Sequence, residues 1–501
     1  MQAEVQLNRL WRRVLAVKTN LKRACTIGLS ALTTLCLAGG YVMADAAGIV
    51  PGSISGISRI YREGSIAALN PQRSVRKVGK QTVASVAHKD INASQAQELI
   101  DNFMSSLPQG VKAGVLIATT AGKEVASANA SDALTPASTL KTLVGYAASV
   151  TFPSQETLKT TVKMEKSSSD STSAALTLVG GGDILLGSGA NDAQHVNGRA
   201  GLATLADQTV QALQSRGITQ VSLQYDDSLF NHDSLPEIEN ASSPVNQGYT
   251  NLMETSSMAV DEARNWYGQP PANPDGEGPW YPQRYANPAA STAEIFAQAL
   301  TNRGIKLTNE NIPQVSAPES AFDIAQVESA PLGQIIQLML TNSDNSLAQL
   351  LGRLLALRTG HDNTHAGASD AVVSVLKQHG ISTDGLVMAD TSGLGDGSAI
   401  TPQLLAQVQS AYLNTAGLTW NAAVGMPISH YNGTLLNRAF NVETNGLVRA
   451  KTGSLEGVRS LVGNVVRTNG GALIFVVIVN GESAIQALPA MNTFVDGLVT
   501  L

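Results

Sequence analysis

Two spacings of apolar residues alternate along the chain, and they divide it into elements. From Ser94, residues Ala96, Leu99, Ile100, Phe103 and Met104 fall on one helical face. Short apolar runs then take over: Val111 to Ile117 reads as a strand, Thr119 to Gly122 as a turn, and Glu124 to Ala130 as the partner strand. Thr135-Pro136 reads as a helix opening. Thr135 is suited to capping the first turn and Pro136 to the first helical position. After Val150 the pattern shortens, with strands at Leu158–Met164, Ala174–Val179 and Val221–Tyr225 between helices at Leu202–Arg216 and Thr292–Arg303, which Gly217 and Gly304 stop. Pro331–Leu340 is apolar and helical, and Leu347, Leu350, Leu351, Leu354 and Leu355 restore helical spacing after a polar break at 341–345. Leu447–Lys451, Ser460–Arg467 and Ala472–Val479 read as strands, the last two joined by Asn469-Gly470-Gly471, a hairpin signal. A helix from about Ile485 to Val499 closes the chain. The terminal hairpin is expected to pair with the strands before Thr135, so that both ends of the body share a sheet.

The N-terminal stretch follows other rules. Residues 1–24 form a basic segment, with Arg9, Arg12, Arg13, Lys18, Lys22 and Arg23 against Glu4. An apolar run from about Ile27 to Ala44 follows, and the next basic residue is Arg59. This asymmetry predicts the N-terminus inside and the body outside. Two outcomes fit residues 25–46: a transmembrane anchor, for which the run is about long enough, or a signal segment cleaved near Ala44-Asp45-Ala46. The protein is therefore expected to be extracytoplasmic, anchored in the cytoplasmic membrane or secreted if the segment is removed. Residues 47–90 read as a basic linker, either a solvated spacer or a contact for anionic lipid or wall polymers.

Composition narrows the function classes. With 501 residues, 43% of them hydrophobic, the chain can bury a large core. Only 14% are charged and the net charge is −6, which argues against nucleic acid as a partner. Cys25 and Cys36 both lie in or beside the apolar N-terminal run, so the body has no cysteine-based disulfide or metal site. His361 and His365 are four apart, but Gly360, Asp362 and Asn363 around them indicate a loop rather than a chelating helix face; neither a metal nor any other cofactor is expected. No Gly-x-Ser-x-Gly elbow occurs, which argues against a Ser-His-Asp hydrolase.

The candidate chemistry begins at Ser138-x-x-Lys141, which puts a hydroxyl beside an amine one helical turn away. Alone the motif is weak, for it recurs at Ser74–Lys77 and Ser374–Lys377. Two further motifs follow in order, each occurring once: Ser343-Asp344-Asn345 and Lys451-Thr452-Gly453. This ordered set resembles the penicillin-binding proteins and class A β-lactamases. Ser138 and Ser343 are 205 positions apart and Ser343 and Lys451 are 108 apart, so a long insertion separates the first two motifs. With Gly180-Gly181-Gly182-Asp183, Tyr225–Phe230, Asp390–Leu394 and Asn432–Leu435, residues 95–500 are similar to the D-alanyl-D-alanine carboxypeptidase/endopeptidase family, the class C low-molecular-mass penicillin-binding proteins.

The resemblance implies an α/β (α+β) penicilloyl-serine transferase fold: an antiparallel sheet flanked by helices and an all-helical lobe, formed by residues 91–154 and 326–501. Residues 155–325 would be an inserted α+β region of one or two subdomains. It implies acyl transfer from D-Ala-D-Ala of peptidoglycan stem peptides, with β-lactams as inhibitors. Ser138 would be the nucleophile, Lys141 the general base and Ser343 a proton relay to the leaving amine. Asn345 would hold the substrate backbone, and Lys451 and Thr452 its carboxylate. Gly453 would let the substrate strand approach, and Ser454 would supply an oxyanion-hole amide with Ser138. A β-lactamase is the nearest rival, but the stretch between Asn345 and Lys451 has one glutamate, Glu443, without the following Leu-Asn expected of a deacylating base. A non-catalytic wall-binding protein is the other alternative.

Overall fold

The computed structural model describes residues 90–165, 172–231, 233, 235–276, 281–414, 417 and 419–501. The basic segment, the apolar run, the linker and the Ser74–Lys77 motif lie outside the described residues. Helix α1 (Ala93–Ser105) is capped by Asn92, whose side chain accepts the amides of Ser94 and Gln95. Strands β1 (Lys112–Thr119) and β2 (Glu124–Ala128) follow as a hairpin. A 3-10 turn, Ala137–Leu140, runs directly into helix α2 (Lys141–Thr151).

The second region begins with β3 (Lys159–Met164), β4 (Ser173–Val179) and β5 (Asp183–Leu186). Helix α3 (Leu202–Gln214) then carries the chain to β6 (Gln220–Asp226), and β7 (Met258–Val260) pairs with β5. Helix α4 (Pro288–Thr301), β8 (Lys306–Leu307) and β9 (Phe322–Glu328) complete it. The five-stranded sheet here has the order β8-β6-β4-β3-β9. Its parallel neighbours, β4 with β6 and β6 with β8, are joined through α3 and α4, as parallel pairing requires a crossover. The region has its own core, built on Leu176, Leu178, Leu205, Leu223 and Phe296.

The chain then turns helical through α5 (Leu332–Asn342), α6 (Asn345–Thr359), α7 (His365–Gln378), α8 (Pro402–Asn414) and α9 (Trp420–Gly425). It returns to sheet with β10 (Val448–Leu455), β11 (Val458–Val466) and β12 (Ala472–Asn480), and ends in α10 (Leu488–Leu498). The first sheet has the order β10-β11-β12-β1-β2 and is antiparallel throughout. The expected union of the two chain ends is seen: β12 pairs with β1 from Lys112↔Asn480 to Thr119↔Leu473.

Strand β12 explains why its sequence reads as an unbroken apolar run. Leu473, Phe475, Val477 and Val479 face a core shared with α1 and α10. Ile474, Val476 and Ile478 face the opposite core, shared with α2, α5, α6 and α8. A strand covered on both faces has no solvent side to alternate with. Helix α2 is buried from Lys141 through Ser149, so it is apolar nearly all round for the same reason.

The start of α2 departs from the sequence expectation. Thr135 does not cap it. Its amide donates to the Asn480 side chain at 2.7 Å, and Asn480 donates back to the Thr135 carbonyl at 3.1 Å. The first turn is a 3-10 turn that starts at Ala137, so Pro136, which has no side-chain acceptor, stands at its cap position instead of Thr135. Ala137 has φ 50°, a left-handed conformation unusual for alanine, and it tightens the entry before Ser138.

Candidate active site

Each motif reaches the cleft from a different element. Ser138 lies in the 3-10 turn at the head of α2, and Lys141 is the first residue of α2. Lys141 Nζ lies 3.0 Å from Ser138 Oγ, 2.6 Å from Asn345 Oδ1 and 2.6 Å from the Ser392 carbonyl. The amine is fully buried. Burial brings its pKa down to about 8, against the pull of the Asp390 carboxylate and then that of Asp344.

The second motif is a corner between α5 and α6. Ser343 closes α5 in the left-handed region at φ 58°, and Asp344 caps α6 by accepting the Leu347 amide at 3.0 Å. Capping is the ordinary task of such a polar break, and it leaves Ser343 and Asn345 to face the cleft. The other oxygen of Asp344 is held by Arg264 at 3.0 Å. That guanidinium also binds Glu262 at 2.7 Å and Asp261 at 3.0 Å, and Arg284 binds Glu262 at 3.1 Å. Burial would raise the Asp344 carboxyl, but the Arg264 charge overrides it and holds the group below the usual carboxylate range. Asn345 bridges two regions: its Oδ1 accepts from Lys141, and its Nδ2 donates to the Asn251 carbonyl at 2.9 Å.

The third motif lies on β10, at an edge of the first sheet. Lys451 is buried, and its Nζ lies 2.7 Å from Ser343 Oγ and 2.7 Å from the Thr452 carbonyl. Thr452 Oγ1 meets Thr434 Oγ1 at 2.8 Å. The outer edge of β10 begins occupied, with the Ala450 amide donating to the Pro427 carbonyl. By the alternation of a strand, the Thr452 and Ser454 amides point to that same edge, where it borders the cleft. Gly453 has a packing reason that the sequence did not indicate. A Cβ there would lie 2.2 Å from Ser460 Oγ, 2.6 Å from the Pro136 carbonyl and 3.1 Å from the Ser138 amide. The close approach seen here is made by the turn that carries Ser138.

All three motifs border one cleft of about 1300 Å³, with Asn251, Trp266 and Tyr281 of the second region on its wall. The arrangement combines an amine close to neutrality beside a hydroxyl, a second buried ammonium, and a strand edge with outward amides. That is the equipment for attacking a carbonyl next to a carboxylate.

A profile describing the D-Ala-D-Ala carboxypeptidase 3 (S13) family matches residues 96–262 and 274–500. The chain belongs to that family. Members are serine-type D-Ala-D-Ala carboxypeptidases, so this chain is an enzyme of that type. It is 29% identical over 381 residues to carboxypeptidase DacB of Mycolicibacterium smegmatis, covering 74% of this chain and 77% of that one. It is 30% identical over 369 residues to a carboxypeptidase of Mycobacterium tuberculosis, covering 72% and 74%. The fold matches that of penicillin-binding protein 4 from Haemophilus influenzae, with a TM-score of 0.63 at 21% identity over 82% of this chain and all of that one. The penicilloyl-serine transferase fold expected from the motifs is the fold of the protein.

Other residues singled out by sequence fall elsewhere. Ser374 lies on α7, where its hydroxyl accepts from Gln378 at 3.4 Å. His365 begins α7, is buried and contacts Thr255 Oγ1 at 3.0 Å. His361 contacts Thr359 Oγ1 at 2.8 Å. Glu443 is exposed on the 3-10 turn Val442–Thr444. Sequence reasoning missed Arg264, Glu262 and Arg284, and gave Thr434 and Ser392 no role. A run of charges in Asp261-Glu262-Ala263-Arg264 inside an otherwise weakly charged chain was the available signal for the first two.

Proposed function

We propose that Ser138, Lys141 and Ser343 carry out D-Ala-D-Ala cleavage of peptidoglycan stem peptides through a Ser138 acyl-enzyme. The carrying observation is the Lys141 amine, buried, brought to about 8 and 3.0 Å from the Ser138 hydroxyl. At pH 7.5 such a group is neutral about a quarter of the time, against roughly one part in a thousand for an ordinary lysine. The Ser138 proton passes to Lys141 as Oγ attacks the penultimate D-Ala carbonyl. The amides of Ser138 and Ser454 receive the developing oxyanion. Lys451 and Thr452 take the terminal carboxylate, and Asn345 uses its remaining acceptor capacity on the substrate backbone. Ser343, bonded to Lys451, hands its proton to the departing amine and takes up the one Lys141 received from Ser138, so that Lys141 is neutral again. Water then gives a proton to Lys141 as it attacks the ester carbonyl, and Lys141 passes that proton to Ser138 Oγ as the acid departs. A β-lactam amide attacked at the same carbonyl position acylates Ser138 and blocks it.

Cleavage of cross-links by the same steps is supported by the volume of the cleft, about 1300 Å³, whose lining includes Thr434, Asn437 and Asn492 besides Thr452. Incubating the protein with purified muropeptides and separating free D-Ala from opened cross-links tests both activities. Release of neither by wild type, or continued release by Ser138→Ala, would overturn the reading.

Residues 91–154 and 326–501 are read as the peptidase domain and 155–325 as the inserted region, a division supported by the second sheet and its separate core. Anchoring through residues 25–46 is supported by the apolar run and its basic flank. Among the described residues no helix is long and apolar enough to cross a membrane. Extraction of the mature protein from membranes by high-pH carbonate alone would refute anchoring.

A further inference from the structure

Beneath Lys141 lie two acidic side chains to which the reaction steps give no task. Asp390 is buried, and its Oδ1 accepts the amides of Ser392 and Gly393 while its Oδ2 accepts that of Gly395 at 2.7 Å. The loop wound around this carboxylate presents the Ser392 carbonyl to Lys141 Nζ. The same loop presses on the nucleophile's turn, since a Cβ at Gly393 would lie 2.2 Å from the Ala137 carbonyl.

Glu239 arrives from the inserted region, at the end of the 3-10 turn Glu237–Glu239, and is 0% exposed. A Cβ at Gly395 would lie 2.6 Å from Glu239 Oε1 and 2.7 Å from Asp390 Oδ2, so two carboxyl oxygens flank one point. Among the described residues neither Glu239 oxygen meets a donor in hydrogen-bond geometry, and the nearby Gly395 amide serves Asp390. Two adjacent buried carboxyl groups, with the amide donors gathered on one of them, are stable when a proton sits between them.

We propose that Glu239 is a positioning residue for the base: its carboxyl proton is donated to Asp390, leaving one shared negative charge, and this bond locks the 390–395 loop so that the Ser392 carbonyl holds Lys141 Nζ toward Ser138. The inference rests on Lys141 acting at Ser138 as described above. It gives the inserted region a part in the acylation step.

Burial, reinforced by the Asp390 charge, pushes the Glu239 carboxyl up to about 9. The charges acting on Lys141 are Asp390, Asp344 and Glu239, while Ser138, Asn345 and Ser392 bond it. Lys141 is neutral above about 8 and Glu239 keeps its proton below about 9. Acylation should therefore be fastest in that interval and fall above it, when a second negative charge appears beneath the amine and the loop loses its bond.

The test is the rate of acylation by a fluorescent penicillin from pH 6 to 10.5, on the full chain, for wild type, E239Q and E239A, with thermal midpoints at each pH. E239Q keeps a donor that cannot ionise. It should stay within about threefold of wild type at pH 8 and lose the fall that begins near 9, whereas E239A should be slowed about tenfold or more. A raised folded-state pKa contributes stability that is complete below the ordinary glutamate range and is lost as pH rises through about 9, so E239Q should gain on wild type in midpoint across that span. Equal rates for E239Q and E239A, or an identical high-pH fall in wild type and E239Q, would overturn the proposal. If E239A does not fold, the comparison of E239Q with wild type still decides it. Failure of wild type to acylate, or acylation of Ser138→Ala, would instead defeat the reading of the site.

Discussion

Gly453→Ala is the perturbation that most directly questions how the third motif meets the first. The added methyl would stand 2.2 Å from Ser460 Oγ, 2.6 Å from the Pro136 carbonyl oxygen and 3.1 Å from the Ser138 amide nitrogen. Non-bonded carbon and oxygen atoms settle at roughly 3.5 Å, so the strand and the turn must part by about 1 Å. The Ser460 hydroxyl is a removable obstacle. The Pro136 carbonyl is not, because it is backbone, it accepts the Ser460 hydroxyl at 2.6 Å, and it stands next to the left-handed Ala137. Parting the two elements moves the Ser138 amide away from the Ser454 amide, and losing one oxyanion donor costs about 3–4 kcal/mol of transition-state stabilisation. Acylation by a chromogenic or fluorescent β-lactam should slow by about 100–1000-fold. Stability should fall by about 1–3 kcal/mol from overpacking, measured by urea unfolding. The double variant G453A/S460G removes the hydroxyl but leaves the carbonyl, and it should recover less than about tenfold of the lost rate. A folded G453A that acylates within about threefold of wild type would refute the reasoning, as would full recovery in the double variant.

Two other outcomes follow from groups around the amine. The acylation rate of wild type should climb about tenfold per pH unit through the acid range and level off near 8, following the neutral fraction of Lys141; a flat profile from pH 6 to 9 would show that this amine is not the base. Arg264→Ala leaves the Glu262 and Asp344 carboxylates buried without their shared guanidinium, and should cost about 3–5 kcal/mol at pH 8, with a smaller deficit at pH 5, where the stranded carboxyls can protonate. A loss below about 1 kcal/mol in urea unfolding at pH 8 would mean that the network does not hold the α5–α6 corner.

The three motifs were readable in sequence because each lies within three or four consecutive residues and two of the three occur once in the chain. The antiparallel sheet was readable because β12 and β11 carry strong strand patterns with a hairpin signal between them. The helix opening at Thr135 misled because a local rule cannot see that the Thr135 backbone is tied to Asn480 and that a left-handed Ala137 shifts the first turn, leaving Pro136 at the cap position. The supports of the site were hidden for a related reason. Arg264 meets Asp344 across 80 positions, Asn345 meets Asn251 across 94, and Lys141 meets Ser392 across 251. Glu239 lies in a stretch with no regular period, where one more glutamate carries no signal of burial. Such contacts are products of tertiary packing, and propensity or spacing has no term for them.

The ties between residues 251–264 and the α5–α6 corner constrain how relatives of this enzyme can diverge or be recombined. Asn251 binds Asn345, Met253 donates its amide to the Ser346 hydroxyl, and Arg264 grips Asp344. A chimera that imports a foreign inserted region without the matching residues 344–346 would therefore lose speed along with any change in the peptides it admits. The cleft wall and the setting of the Lys141 amine are therefore inherited together, because the segment that lines the cleft also braces Asn345, which bonds that amine.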